Sequence, residues 1–139
     1  MTSTRWQSSI AEMSNLDERQ GSVIPNHTDI LAGMYEAFNA RDVDRVLKAM
    51  VSDVDWPNGW EGGRVIGRDA VREYWRRQWE VLDPIVTPVD YTPLPDGRLS
   101  VRVHQQVRDL AGSLLVNTHV NHVYTFRGGL IQSMEIVEA

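Results

Sequence analysis

From residue 85 to its C-terminal end, the sequence reads as a meander of strands separated by tight turns. The predicted strands are 85–94, 99–108, 114–126 and 130–137. Side chains in the second strand alternate with the period of two that is typical of β-structure, with Val101, Val103 and Val107 set against Arg102, His104 and Gln106. The first strand contains Pro88 and Pro93, which predicts an edge strand or a bulged one. A meander with one apolar face needs a second layer to cover that face.

The first half of the chain supplies this second layer, because its apolar residues recur with helical periodicity. One helix is predicted from Thr28, a shorter one follows Asp42, and a third runs from about Arg68 to Leu82, where a proline ends it. Two short strands, 52–56 and 64–66, separate the second helix from the third. The sequence therefore predicts an α+β fold: a cone-shaped, curved, mixed or antiparallel sheet with three helices packed on its concave face.

The chain has 139 residues, no cysteine and a formal net charge of -5. This length predicts one domain, which we place at residues 27–139, after a flexible N-terminal tail of residues 1–26 that is polar and aperiodic. The acidic charge argues against a nucleic-acid partner, and no apolar run approaches the about 20 residues of a membrane span. With no signal-peptide pattern at the N-terminus, we expect a cytoplasmic protein without a membrane partner.

Four stretches carry motifs of a known superfamily: ARDVD at 40–44, SDVDW at 52–56, GRDAVREYW at 67–75 and YTFRGGLIQSM at 124–134. Taken in this order, they resemble the nuclear-transport-factor-2-like superfamily, which includes ketosteroid isomerases and SnoaL-like polyketide cyclases. The resemblance covers roughly residues 28–139. It implies a single SnoaL-like domain with a ligand cavity inside the cone, in a superfamily that hosts many reactions and several non-catalytic proteins.

The resemblance also shows where this chain departs from a steroid isomerase. The carboxylate base of the isomerase matches Pro57 or Asn58, and its protonated acid matches Asn121. Its phenol matches Met34, with Tyr35 one residue away and facing elsewhere. An asparagine can donate a hydrogen bond to an oxyanion but cannot take up the proton. We therefore expect steroid isomerisation to be absent or very slow.

Two histidines on neighbouring strands remain as candidates for acid–base chemistry. Clean separation of valines from polar residues predicts a hairpin register in which His104 faces His119 and Arg102 faces Asn121. The match of Asn121 to the isomerase's acid places this polar face in the cavity, which makes His104, His119 and Arg102 the predicted catalytic residues. Scytalone dehydratases of the same superfamily use a histidine pair on this sheet. The predicted substrate-binding residues are Met34, Trp56, Asn58, Trp75, Trp79, Asn121 and Met134.

The same residues allow plainer interpretations. Histidines in the middle of a strand often serve only the structure, and four tryptophans between 56 and 79 are as typical of core packing as of a cavity wall. In the predicted register the valine face and His122 point outward, and an exposed apolar stripe of this kind predicts a homodimer. The histidines have no acidic partner at ligand spacing, so we expect neither a metal nor a cofactor.

Two functions fit this sequence. The first is a cofactor-independent isomerase, cyclase, dehydratase or epoxide-hydrolase-like enzyme that acts on a small, apolar, oxygenated molecule. The second is a non-catalytic small-molecule-binding or dimerisation module on the same fold. The two differ in whether the histidines reach one cavity.

Overall fold

The computed structural model describes residues 26–139, so almost all of the predicted tail lies outside the described residues. The helices are α1 (His27–Asn39), α2 (Val43–Leu47) and α3 (Arg68–Trp79). The strands are β1 (Met50–Pro57), β2 (Arg64–Ile66), β3 (Leu82–Pro93), β4 (Leu99–Asp109), β5 (Leu114–Arg127) and β6 (Leu130–Glu138). Within residues 26–139, no helix combines the length and the apolar character needed to cross a bilayer.

All six strands form one open, mixed sheet in the order β2-β1-β6-β5-β4-β3. β1 runs parallel to β6, and every other neighbouring pair is antiparallel. This is the predicted α+β class, with three helices against one face of the sheet. β3 lies at an edge, and its register with β4 shifts between Pro88 and Asp90. Both alternatives for this strand therefore hold, because its prolines cannot donate to a neighbouring strand.

The helix ends differ slightly from the predicted ones. α1 begins before Thr28 because Asn26 caps it, its side chain accepting a hydrogen bond from the Thr28 backbone N–H at 2.8 Å. α3 ends at Trp79, and Leu82 already belongs to β3. The residue before a proline is disfavoured in helical geometry, so Pro84 keeps Asp83 extended and within the strand.

Asn39 ties the end of α1 to the edge of the sheet. Its side-chain Nδ2 donates to the Val86 carbonyl at 2.9 Å, and its Oδ1 accepts from the Val86 N–H at 3.0 Å. The amide thus pairs with β3 much as another strand would, through one donor and one acceptor. This pairing sets the position of α1 over the sheet.

The inner face of the sheet, which is the side that the helices cover, carries the valines of β4. Val101 and Val103 are fully buried, and Tyr124 on β5 is buried with them. The predicted exposed apolar stripe is therefore wrong, since these side chains form core. Covering this face removes the most apolar surface from water, which is the dominant favourable contribution to folding.

Candidate functional site

A cavity of about 200 Å³ lies between the inner face of the sheet and the helices. Its walls are largely aromatic and aliphatic side chains, which include Met34, Phe38, Trp56, Tyr74, Trp75 and Met134. The rings of Trp56 and Trp75 meet edge to face, with centroids 5.7 Å apart. A cavity of about 150 Å³ can hold benzene, so this one has room for a small bicyclic molecule.

Three polar side chains meet on the cavity wall, and we call them the polar cluster: Tyr35, His122 and Tyr124. The Tyr35 hydroxyl lies 2.8 Å from Nδ1 of His122 and 2.6 Å from the Tyr124 hydroxyl. All three are buried, with 3%, 8% and 0% of their surface exposed. Among residues 26–139, the hydrogen bond of the His122 ring is the one at Nδ1, so Nε2 stays available to a ligand.

Burial determines the protonation of this cluster. It lowers the pKa of His122 to about 4, because a charged imidazolium is costly away from water. Burial also raises the pKa of the Tyr124 phenol, and burial together with the nearby Tyr124 raises the pKa of Tyr35 well above its usual value. At neutral pH the cluster is therefore uncharged: two phenols and one neutral imidazole.

The mouth of the cavity is formed by the loop after β1 and by the far ends of β5 and β6. Trp60, Val116 and Ile136 line the cavity and are each about two-fifths exposed, at 40%, 40% and 43%. Asn58 shapes this loop, since its Oδ1 accepts from the backbone N–H groups of Trp60 and Glu61 at 3.2 and 2.7 Å. The two glutamines Gln78 and Gln105 line the cavity and bring further amide groups to its wall.

Of the predicted substrate-binding residues, four line the cavity: Met34, Trp56, Trp75 and Met134. Trp79 does not; it stacks on Trp75 at 5.9 Å and lies under the guanidinium of Arg41 at 5.1 Å. The buried Asn58 does not either, because its side chain is occupied by the loop that it caps. Trp79 packs behind the cavity wall and Asn58 holds the loop at its mouth. Asn121, the seventh predicted residue, does not line the cavity either.

The predicted catalytic residues lie on the outer face of the sheet, which is the side away from the helices. The predicted register is confirmed, with His104 opposite His119 and Arg102 opposite Asn121. The two histidine rings stack with centroids 4.8 Å apart, and Nε2 of His104 lies 2.6 Å from Oδ1 of Asn117. The orientation of the whole set was wrong, because the valine face, and not the polar face, is the one that the helices cover.

The residues that sequence patterns missed are those of the polar cluster. Tyr35 was expected to face elsewhere and His122 to face outward, yet both line the cavity. A strand side chain changes face with every residue, so matching Asn121 instead of His122 to the isomerase's acid inverted the sheet. The sequence did carry one signal: in the predicted register, His122 and Tyr124 lie on the same face of the sheet as the valines of β4. Polar groups on an otherwise apolar face are typical of a buried site.

Within residues 26–139, no group of three histidine, aspartate or glutamate side chains lies close enough to hold a metal ion. The cavity wall carries hydroxyl, imidazole and amide groups, and no described carboxylate lines it. The site is therefore suited to hydrogen bonding and to proton transfer through neutral groups.

A model of the SnoaL-like domain family matches residues 31–134. A search of curated proteins found no match. Among solved structures, TerC co-crystallised with polyporic acid is 25% identical, with a TM-score of 0.70 over 81% of this chain and 91% of TerC.

Two further solved structures share the fold. A protein of unknown function from Burkholderia pseudomallei K96243, described as NTF2-like, is 24% identical, with a TM-score of 0.71 over 83% of this chain and 92% of its own. A Mycobacterium tuberculosis protein in complex with estradiol-17β-hemisuccinate is 17% identical, with a TM-score of 0.68 over 79% and 91%.

Proposed function

This chain belongs to the SnoaL-like domain family, and we propose that its cavity binds a small, flat, largely apolar molecule that carries oxygen, and promotes proton transfer on it without a cofactor. The fold is of a type found in cyclases, isomerases and ligand-binding proteins. Isomerisation and cyclisation through an enol are the reactions that best fit a site made of neutral hydrogen-bonding groups: the wall would polarise the carbonyl, and water that enters at the mouth would take the proton from carbon.

His122 is the observation that carries this proposal. Its imidazole is buried, neutral at pH 7 and hydrogen-bonded through Nδ1, which leaves Nε2 free to bind a ligand. A neutral imidazole held by a neighbouring hydroxyl can polarise a carbonyl oxygen and stabilise the enol that forms from it.

The shape of the cavity supports a flat ligand. Trp56 and Trp75 meet at a right angle, and a ring can lie against the face of either one. Along β4, Gln105 lies four residues beyond Val101, the cross-strand partner of His122, which corresponds to about 13 Å between Cα positions. A molecule of two rings with oxygen at both ends fits this span, and TerC, which is similar to this chain, was crystallised with polyporic acid.

Binding without catalysis is the second candidate. One observation favours it: no carboxylate of residues 26–139 lines the cavity, so a strong general base is missing from that wall. The same absence supports the expectation that steroid isomerisation is slow or absent.

A ligand screen followed by isotope exchange separates the two functions. We expect bicyclic ketones and quinones to raise the melting temperature of the wild type, because a ligand at 100 times its Kd stabilises the native state by about 2.7 kcal/mol. Each ketone hit that has an sp3 C–H group next to its carbonyl is then incubated in deuterium oxide, and deuterium at that carbon is measured by mass spectrometry. Exchange by the wild type and not by His122→Gln supports the enzyme, whereas binding without exchange supports the binding module.

The outer-face histidines provide the control. His119→Ala and His104→Ala are expected to bind and exchange like the wild type, since neither residue lines the cavity. A catalytic role for His104, His119 and Arg102 stays a prediction from the sequence. Loss of exchange in these two variants, with His122→Gln still active, would contradict the role that we assign to His122.

We also propose that the chain forms a homodimer through the outer face of the sheet. No described helix covers this face. It presents His104 opposite His119 and, two residues along the fifth strand, Asn121 opposite the 46% exposed Val137. Sedimentation equilibrium measures the mass directly. A monomer at tens of micromolar would contradict the proposal, and so would a dimer that His119→Glu leaves intact.

A further inference from the structure

We infer that His122 presents an Nε2–H donor to the cavity, that Tyr35 fixes this tautomer, and that the site selects a ligand with an acceptor oxygen, such as a ketone or quinone carbonyl. This inference rests on the proposed function, in that it assumes a ligand in the cavity. It goes further by assigning the direction of each hydrogen bond in the polar cluster.

The direction is set at Tyr124. Its side chain is fully buried, and the Tyr35 hydroxyl is its hydrogen-bond partner within residues 26–139. A buried O–H group without an acceptor is costly, because it has lost its hydrogen bonds to water. Tyr124 therefore donates to the oxygen of Tyr35.

Tyr35 then has one proton to place, and Nδ1 of His122 is the acceptor within reach, at 2.8 Å. The reverse arrangement, with Nδ1–H donating to Tyr35 and Tyr35 donating to Tyr124, would leave the proton of the fully buried Tyr124 with no acceptor among the described residues. An unpaired Nε2–H costs less, because His122 is 8% exposed and lines the cavity, where water or a ligand can accept from it. A neutral imidazole has a single N–H, so once Nδ1 accepts, the proton resides on Nε2. Burial keeps the imidazole neutral and both phenols protonated.

The ligand group follows from this direction. Nε2–H points away from Tyr35 and has no acceptor within residues 26–139, so an acceptor oxygen on the ligand completes the chain. If the only polar group of a ligand is an N–H donor, that group and Nε2–H of His122 would face each other, and neither would have an acceptor. The site therefore discriminates against ligands without an acceptor oxygen, because such a ligand would leave Nε2–H unpaired. An unpaired polar group in a binding site gives strong selectivity.

The tautomer can be measured without any ligand. In the full chain labelled with ¹⁵N-histidine, long-range ¹H–¹⁵N correlation spectra distinguish Nε2–H from Nδ1–H, and the His122→Gln spectrum identifies the His122 signals. We expect the Nε2–H pattern in the wild type. Tyr124→Phe should keep it, because Tyr35 can still donate to Nδ1, whereas Tyr35→Phe should give a mixture. An Nδ1–H pattern in the wild type overturns the inference, whether or not the variants fold.

The ligand preference is tested with two bicyclic probes of similar size, 1-indanone, which has an acceptor carbonyl, and indole, which has a donor N–H. Calorimetry should show the wild type binding 1-indanone at least tenfold more tightly than indole, and Tyr35→Phe should reduce this ratio several-fold. Tyr91→Phe is the matched control, because Tyr91 is a partly buried tyrosine that does not line the cavity, and its ratio should not change.

An equal affinity for the two probes, or a preference for indole, would overturn the inference. Binding of neither probe would count against the proposed function alone, because the ring signals decide the tautomer independently.

Discussion

Tyr35 of the first helix lies 2.8 Å from His122 of the fifth strand, although 87 residues separate the two in sequence. The contact joins a hydroxyl and an imidazole inside a cavity with apolar walls. Each of the two groups can donate or accept a hydrogen bond. The contact requires one particular position of α1 over the inner face of the sheet. The two hydrogen bonds between Asn39 and Val86 of β3 fix that position.

Tyr35→Phe should destabilise the protein more than Tyr124→Phe. The first change strands two buried polar groups, the Tyr124 hydroxyl and Nδ1 of His122, and should lower the free energy of unfolding by about 1–3 kcal/mol. The second change removes the Tyr124 hydroxyl itself. Tyr35 can still donate to Nδ1 of His122, so no buried donor loses its acceptor. Urea denaturation of the two variants measures the difference, and the opposite order would contradict the assigned direction of the hydrogen bonds.

His122 should make the protein sensitive to mild acid. Its pKa is about 4 in the folded state and about 6.5 when unfolded, so between these values the unfolded chain binds more protons and stability rises with pH. The free energy of unfolding is unaffected by protonation of His122 above about pH 6.5. It falls by about 3 kcal/mol as the pH drops toward 4, because the unfolded chain takes up the proton more readily.

His122→Gln cannot titrate at this position, and it retains a side-chain acceptor for Tyr35. Denaturation at pH 7 and pH 4.5 should therefore show a smaller loss of stability in this variant than in the wild type. The two proteins share all other ionisable groups. Equal losses of stability would therefore show that the pKa of His122 in the folded state is close to its value in the unfolded chain.

Asn39→Ala should lower the free energy of unfolding by about 1–3 kcal/mol, because it leaves the N–H and C=O of the partly enclosed Val86 backbone without their partners. Asn117→Ala is the matched control: it removes an amide of the same size from the exposed outer face and should change stability by less than about 0.5 kcal/mol. Chemical denaturation of both variants measures the two effects, and a similar small effect in each would argue against a stabilising role for the Asn39–Val86 hydrogen bonds.

Removing residues 1–24 should leave the domain nearly as stable as the full chain. The expectation comes from the polar, aperiodic sequence of this segment. Differential scanning calorimetry of the two forms is the test. A melting temperature lower by more than about 5 °C in the shortened chain would correspond to roughly 1 kcal/mol of lost contacts and would contradict the prediction.

Sequence patterns were sufficient for the order of the elements and for the pairing of the long hairpin. Alternation along β4 and β5 leaves one register in which valines and polar groups separate cleanly, and His104 does pair with His119 in it. The edge position of β3 followed from its prolines in the same local way. Each of these features depends on residues close in sequence or on a period of two, so no knowledge of the packed domain was needed.

The tertiary structure decided which face of that sheet is covered and what meets in the cavity. A period of two defines two faces and does not say which one the helices lie on; the burial of Val101 and Val103 decides it, because the hydrophobic effect acts on the surface that the whole domain removes from water. His122 and Tyr35 become partners only through that choice, since their contact depends on the height and rotation of α1 over β5, which packing between distant segments determines.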